Sequence, residues 1–500
     1  MDPSTSDPGL KARVIKGASW TLSIRVFVNG IALLSQLILA RLLMPEDFGL
    51  IAIAGSVAAI LEVLGSFGFD LALIQRQTTN RDYYDSAWTL SLITAALISV
   101  LLILLAGPTA AFFGDPRIEA IVYVFAATSF VKGFTNIGVV AFQKELRFDR
   151  EFLYLVTQKL SSFLVAIPLA VIFRSYWALV IGIAAYWTAG VVLSYLLHPY
   201  RPRLCLTKCR QLLTFSRWLV INNVLTWVNN SGVAVIISRL TGIHEVGLYT
   251  ISKQLAQVTA RELVGPVGRA VYPGLAKVSS DQDRLRRGFL LSLALLALTV
   301  FPAALGLAAV AEPLVIAFLG PKWAAAAPVL EILAIAGAVF VIQGNLESVF
   351  IAAGRPVFAS ITNSAATLVL LATLIPLLLY REFDVAIWAF VLAQGAAAVI
   401  GYLLLFAKTA IRFADAIRTI YRPVVAGVAM FIAVRYFDGW LTASTEATDL
   451  LRFVAGTCVG MTSYPLLVLV LWFISGCPRG GETEFYALVR RILGARRHTA

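Results

Sequence analysis

The chain has 500 residues, of which 59% are hydrophobic and only 14% charged. A soluble protein of this length carries about 25% charged residues, so the composition excludes an ordinary water-soluble enzyme and points to the bilayer. A net charge of +13 would suit a nucleic-acid binder, but the basic residues sit in short loops between apolar stretches, and that distribution excludes nucleic acid as a partner.

A membrane-spanning helix needs about 20 mostly apolar residues. Fourteen such stretches are predicted, at 17–40, 48–69, 87–106, 118–140, 153–173, 177–197, 218–239, 247–270, 288–310, 324–352, 357–379, 385–407, 423–437 and 450–474. The tenth is long and the thirteenth short. The expected fold class is all-α, a polytopic integral membrane protein. No soluble domain fits between spans, the longest gap being His198 to Arg217. The first apolar region reaches full spanning length with no small-residue cleavage pattern, so it reads as a span and not as a cleaved signal. With the N-terminal segment inside, alternate loops hold 27 of the 41 basic residues, and the opposite loops and span ends hold seven. The positive-inside rule then places both termini in the cytoplasm, with the anionic lipids of the inner leaflet as partners of the basic loops. Cys205, Cys209, Cys458 and Cys477 fall in cytoplasmic or membrane positions, so no disulfide is expected. No close histidine pair completes a metal site with Cys205 and Cys209.

The polar elbow between the first two spans, "ILARLLMPEDFGLIAI" from Ile38, returns as "IISRLTGIHEVGLYTI" from Ile236, at an offset of 198 residues. Arg41 faces Arg239, Gly49 faces Gly247, and Asp47 becomes Glu245. A weaker echo sets "VKGFTNIGVVAFQ" from Val131 against "IQGNLESVFIAAG" from Ile342, with Gly133 on Gly344. Six spans separate the elbows, so both copies enter the membrane in the same direction, a parallel repeat related by an axis along the membrane normal. The expected organisation is a first lobe at 1–197, a cytoplasmic linker at 198–217, a second lobe at 218–407, two further spans within 408–475 and a cytoplasmic tail at 476–500. In the elbow, Arg41 snorkels at the outer surface, Pro45 starts the next helix, and Glu46 and Asp47 favour its N-terminal dipole. Gly49 lets the two spans pack closely at their turn. Arg41, Gly49, Arg239 and Gly247 are therefore read as structural. Pro168, Pro302 and Pro376 predict kinks. The tail Glu482 to Arg497 reads as an interfacial amphipathic helix.

"GASW" near the start, "LARLLMPEDFGLIAIA", "FGFDLALIQRQ", "AFQKELRFDREF" and "FSRWLVINN" together resemble the polysaccharide transporter (O-antigen and exopolysaccharide flippase) branch of the multidrug/oligosaccharidyl-lipid/polysaccharide exporter superfamily, over about residues 15 to 475. The resemblance implies a bilobed helical fold of twelve core spans, often plus two. It implies flipping of an undecaprenyl-diphosphate-linked sugar unit across a bacterial inner membrane, from the cytoplasmic leaflet, for O-antigen, capsule or exopolysaccharide biosynthesis. Its partners would be the lipid-linked oligosaccharide and, beside it, polysaccharide polymerase and export machinery. The resemblance also implies alternating access of the two lobes around a central cavity.

An ionisable group in a span costs at least about 2.5 kcal/mol at mid-helix, so it is a functional candidate. The basic ones are Arg25, Lys132, Lys159, Lys253 and Arg261. Arg25, Asn29 and Gln36 share a helical face; the seventh span carries Asn222, Asn223, Asn229 and Asn230, and the eighth Lys253, Gln257 and Arg261 at four-residue spacing. In one reading these line a cavity, with Arg25, Arg261, Lys253, Lys132 and Lys159 for diphosphate and Asn29, Gln36, Asn222, Asn223, Asn229, Asn230 and Gln257 for sugar hydroxyls. In the other they form internal ion pairs, with Glu62, Glu262, Glu331 and Glu347 as neutralising acids. The resemblance favours the first for Arg25, since related flippases carry functional cations in the first span. No phosphate-binding loop is present and no cofactor is expected, so transport is facilitated or coupled to an ion gradient, with Glu62 and Asp70 as candidate ion sites. Two rivals remain. Drug export, as a multidrug or organic-ion antiporter, would want buried acids. A membrane glycosyltransferase or polymerase would use Asp281 and Asp283 as a D-x-D metal site.

Overall fold

The computed structural model of the protein describes residues 8–65, 73, 80–145, 147–209, 211, 227–257, 282–352, 355–380, 383–408, 411–444 and 446–476. All regular structure among them is helical. Among the described residues, ten helices are long and apolar enough to cross a membrane, or eleven if one bent pair counts as a single span. Residues 218–226 of the predicted seventh span and 258–270 of the eighth lie outside those described, as do the tail Glu482 to Arg497 and Asp281.

Two compact units divide the chain, Met1–Gly247 and Leu248–Ala500. The first holds α1 (Pro8–Leu42), α2 (Pro45–Gly65), α3 (Arg81–Phe113), α4 (Arg117–Gly133), the short α5 (Val140–Lys144), α6 (Phe148–Phe173), α7 (Trp177–Leu197) and α8 (Val233–Leu240). A π-helical turn, Val228–Gly232, leads into α8. Within this unit α3 packs on α4, α6 on α7 and α1, and α4 also on α2 and α7. A further helix, α9 (243–257), runs across the boundary. The second unit continues with α10 (Gln282–Ala309), α11 (Ala311–Phe318), α12 (Ala326–Ala352), α13 (Pro356–Leu379), α14 (Phe383–Lys408), α15 (Phe413–Ser444) and α16 (Asp449–Ile474). Here α12 packs on α10, α13 and α14, and α15 on α10 and α16. Leu285, Phe289, Leu346, Val349 and Leu405 form one core where α10, α12 and α14 meet. The outer faces keep large apolar side chains exposed, such as Leu164, Ile172, Leu403, Leu466 and Phe473, a surface suited to lipid and not to water.

Two elements differ from expectation. The short thirteenth stretch becomes the 32-residue α15, because amphipathic turns extend it at both ends. The fourth stretch is not one straight helix: α4 stops at Gly133 and the chain resumes at Ile137 after a 67° bend. The bend contains no proline, whereas α6, α10 and α13 run through Pro168, Pro302 and Pro376 without interruption.

The first elbow is built by local rules. Pro45 opens α2, and the Met44 amide donates to Asp47 Oδ2 at 2.9 Å, half of a capping box. Gly49 meets not the helix it is joined to but the second elbow: a methyl there would fall on the Ile243 carbonyl oxygen, and one at Gly247 would fall on that of Pro45. Since 45 and 243, like 49 and 247, are repeat mates, this contact is reciprocal. A third pair of mates, Glu46 and His244, joins across it at 2.7 Å. Nearby, the Trp227 indole donates to the Ser56 carbonyl at 3.1 Å and the Ser56 hydroxyl to Ser231 O at 3.2 Å. These contacts all lie within the first unit.

Candidate functional site

The first unit encloses a cavity of about 690 Å³ lined from α2, α3, α4, the bend, α6 and α7. Its polar content is concentrated at one place. Lys132, in the last turn of α4, donates to Glu62 of α2 at 2.9 Å, and its ammonium lies 4.2 Å from the centre of the Trp187 ring on α7. Ser129, one turn earlier on α4, donates to the same carboxylate at 3.5 Å. Ser91, Thr94, Thr135 and Tyr154 line the remainder. Both charged side chains of the pair are about one-third exposed, so the pair faces the open volume. A cation over an indole is favourable by about 0.5–2 kcal/mol. Lys132 therefore has two partners, a carboxylate and a ring, and the carboxylate can be exchanged for another anion without stranding the ammonium. This is an ion pair of the kind foreseen for Glu62, and it joins a candidate diphosphate ligand to a candidate ion site.

The bend lines one side of the site. Asn136 is fully buried at the break. Its amide N–H donates to Ser194 Oγ on α7 at 2.9 Å, its side-chain oxygen accepts from Gly138 N at 2.9 Å, and its Nδ2 donates to Tyr200 O at 2.6 Å. The side chain thus satisfies the Gly138 amide, which the broken helix would leave unpaired, and ties the bend to the Tyr200 carbonyl.

Tyr200 belongs to the segment that follows α7. That segment is fastened to the start of α3: the Tyr200 hydroxyl donates to Asp85 Oδ1 at 2.6 Å, the Arg203 amide to the same oxygen at 2.8 Å, the Cys205 amide to Thr89 Oγ1 at 2.9 Å and the Lys208 amide to Ser86 Oγ at 3.2 Å. Burial and the Asp85 carboxylate push the Tyr200 phenol up, so it stays a donor. Burial holds the His198 imidazole below its ordinary value, and its Nδ1 accepts from the Tyr200 amide at 3.1 Å.

The other predicted residues are distributed as follows. Lys159 on α6 lies 6.0 Å from the Tyr186 ring. Asn29 and Gln36 are half-buried on α1, and Gln36 Nε2 has no partner. Arg25 lies on α1, and Asn229 and Asn230 in the π-helical turn, with side chains outside the described residues. Asp70, Asn222, Asn223 and Arg261 are outside them altogether. A π turn within a span often marks a functional position. Arg239 lies over the Phe112 ring at 5.4 Å, and Arg41 is exposed in the last turn of α1. In the second unit Lys253 lies 5.4 Å from the Tyr249 ring and Gln257 is half-buried at the end of α9. Glu331 pairs with Arg435 at 3.7 Å. Glu347 accepts from Asn363 of α13. Trp187 and Asn136 join the site, and Asn363 joins Glu347, only through the fold; each is a polar or aromatic residue within a predicted span. Among the described residues no three His, Cys, Asp or Glu side chains gather as metal ligands do.

Comparison with known proteins agrees with this architecture. The chain is 24% identical over 458 residues to a membrane protein encoded in the cps region of Klebsiella pneumoniae, covering 89% of this chain and 93% of that one. It is 23% identical to the succinoglycan biosynthesis transport protein ExoT of Rhizobium meliloti, covering 93% and 94%. Among solved structures, the lipid II flippase MurJ in an inward closed conformation superposes with a TM-score of 0.73 at 11% identity, covering 92% of this chain and 99% of that chain. An inward-facing multidrug resistance MATE family transporter of the MOP superfamily superposes with a TM-score of 0.58 at 15% identity, covering 76% and 93%. The model of one family matches residues 38–328, more than half the chain, and the chain belongs to that polysaccharide biosynthesis protein family.

Proposed function

We propose that the chain is a flippase that carries a lipid-linked oligosaccharide from the cytoplasmic to the outer leaflet of the bacterial inner membrane, during assembly of a cell-surface or secreted polysaccharide. The observation that carries the reading is a lysine, a carboxylate and an indole sharing one cavity inside a membrane-embedded unit. An arriving diphosphate takes the place of Glu62 on Lys132. Sugar rings stack on Trp187, and Ser91, Thr94 and Ser129 supply hydroxyls for hydrogen bonds. Arg25 and Arg261 assist with the head group, and the amides of the first and seventh spans meet the glycan. A relative named as a succinoglycan biosynthesis transport protein supports translocation over sugar transfer. Both termini and the segment after α7 lie in the cytoplasm, the parallel repeat relates residues 1–197 to 218–407, and polymerase and export machinery work beside the flippase.

The test is complementation of a strain lacking its flippase, with membrane abundance measured alongside. Lys132→Ala, Arg25→Ala and Arg261→Ala abolish export at unchanged abundance, and Lys132→Arg keeps part of it. Full export by Lys132→Ala would remove the cavity from the mechanism.

A further inference from the structure

The second unit carries a polar cluster that the transport reading leaves unused. Gln343 and Glu347 lie one turn apart on α12. Asn363 of α13 bridges them: its Nδ2 donates to Glu347 Oε1, and its Oδ1 accepts from Gln343 Nε2 at 3.2 Å. Gln343 is only 2% exposed, yet its Oε1 has no partner. Glu347 lies about 7.5 Å of helix rise from the end of α12, and Asn363 about 10 Å from the start of α13. Glu347 is half-buried at the end of the apolar stretch Ala326–Glu347, and among the described residues no cation pairs with it. Several charged groups on α12 and the segments packed against it are engaged elsewhere. Arg286 pairs with Asp415 at 2.6 Å and Arg287 donates to Asp283 O. Arg355 lies over Phe358, and Glu331 pairs with Arg435. The Tyr402 hydroxyl of α14 is buried and is a donor, not a cation.

The register that sets Gly133 on Gly344 also sets Lys132 on Gln343 and Asn136 on Glu347. The position that bears a cation and a neutral amide in the first unit thus bears an amide and a carboxylate in the second. Packing requires no such exchange.

We infer that Glu347 is a proton-binding site of the transport cycle, with Asn363 and Gln343 as the hydrogen-bond partners that hold it in either state. The chemistry is one proton transfer: an O–H forms on the Glu347 carboxylate as an O–H of a hydronium ion breaks, at the edge of the cluster where Asn363 is exposed, and the reverse step returns the proton to water. Ionised, Glu347 takes the Asn363 N–H. Protonated, it donates to the Asn363 oxygen once both amides turn end for end, so the two links persist in either state. A metal cation fits less well, since hard cations want six or more oxygens and the cluster offers few. The inference rests on the transport reading for its role in the cycle, but the proton itself is read independently.

The experiment uses the full chain in liposomes, with a fluorescent lipid-linked oligosaccharide and an imposed pH gradient. In the wild type the flipping rate responds to the gradient, by up to about tenfold per pH unit if one proton is coupled. Glu347→Gln flips without a gradient and does not respond to one, and Asn363→Leu, which keeps the carboxylate, loses most of the response. Infrared difference spectra across pH 5 to 8 show a carboxyl C=O band in the wild type that Glu347→Gln lacks. A gradient response retained by Glu347→Gln, or by Asn363→Leu if the former fails to assemble, overturns the site. So does the absence of that band, or stimulation by a sodium gradient at constant pH. A wild type that shows the band but moves no lipid would count against the transport reading instead.

Discussion

The reciprocal glycine contact can be tested by adding a single carbon. In Gly247→Ala the new methyl would fall on the Pro45 carbonyl oxygen, 2.6 Å from its carbon and 3.1 Å from the Pro45 Cα. Carbon pairs settle at about 3.5–4.0 Å, so the elbows must part by about 1 Å. The atoms met are backbone, so no rotamer change relieves the clash. Overpacking of this kind costs about 1–3 kcal/mol. Gly49→Ala meets the Ile243 carbonyl carbon at 3.0 Å and its Cγ2 at 2.8 Å, and costs a similar amount. The Glu46–His244 pair is half exposed and adds at most about 1 kcal/mol, less after screening. Once one methyl has separated the elbows, the second meets less resistance. The double variant therefore loses less than the sum of the singles, with a coupling of about 0.5–3 kcal/mol. Thermal unfolding of the purified protein in detergent measures all three. Gly30→Ala, where nothing lies within 4 Å, is the control and should be as stable as the wild type or more so. Strict additivity, or a Gly247→Ala variant as stable as the wild type, would refute the contact.

Asn136→Ala leaves the Gly138 amide and the Tyr200 carbonyl unpaired near the bend and should cost about 2–4 kcal/mol, read in the same unfolding assay. His198 gives a pH dependence for the segment after α7. Its folded value is depressed by burial, so the stability it contributes is complete above its unfolded value, about 6.5, and is lost as pH falls through the lower folded value. The hydrogen-exchange protection factors of the amides of Tyr200, Arg201 and 203–205, with the intrinsic pH dependence of exchange divided out, should therefore fall on acidification below about pH 6.5 and recover on return, and pH-independent protection factors would contradict this. For topology, a membrane-impermeant maleimide should label Ser444→Cys in intact cells, and should reach Cys205, whose thiol the Thr207 and Ser86 hydroxyls hold below its ordinary value, only after permeabilisation. The opposite pattern would invert the assignment.

The span pattern was legible because each helix must be apolar all round to sit in lipid, so runs such as Trp177–Leu197 announce themselves in composition alone. The 67° break after Gly133 was not, because its cause lies in distant partners. Asn136 is held by Ser194 and Tyr200, and nothing in "GFTNIG" requires a bend without them. The acids and bases of the site were each visible as ionisable residues in apolar runs, but which would pair was not, since Glu62 and Lys132 are 70 residues apart. The elbow repeat is legible in the sequence, where each glycine suits the turn of its own copy. That each serves the other copy follows only from the fold. Trp187 looked like one aromatic among many, and only its place over Lys132 singles it out.

The most direct test of the central claim is translocation itself. The purified chain, reconstituted in liposomes with a fluorescent lipid-linked oligosaccharide on one leaflet, should move it to the other leaflet, and Lys132→Ala should move it far more slowly. Incubation with sugar nucleotides and the same lipid should yield no longer glycan. Liposomes in which the lipid stays where it was placed, or in which the glycan is extended, would contradict the account.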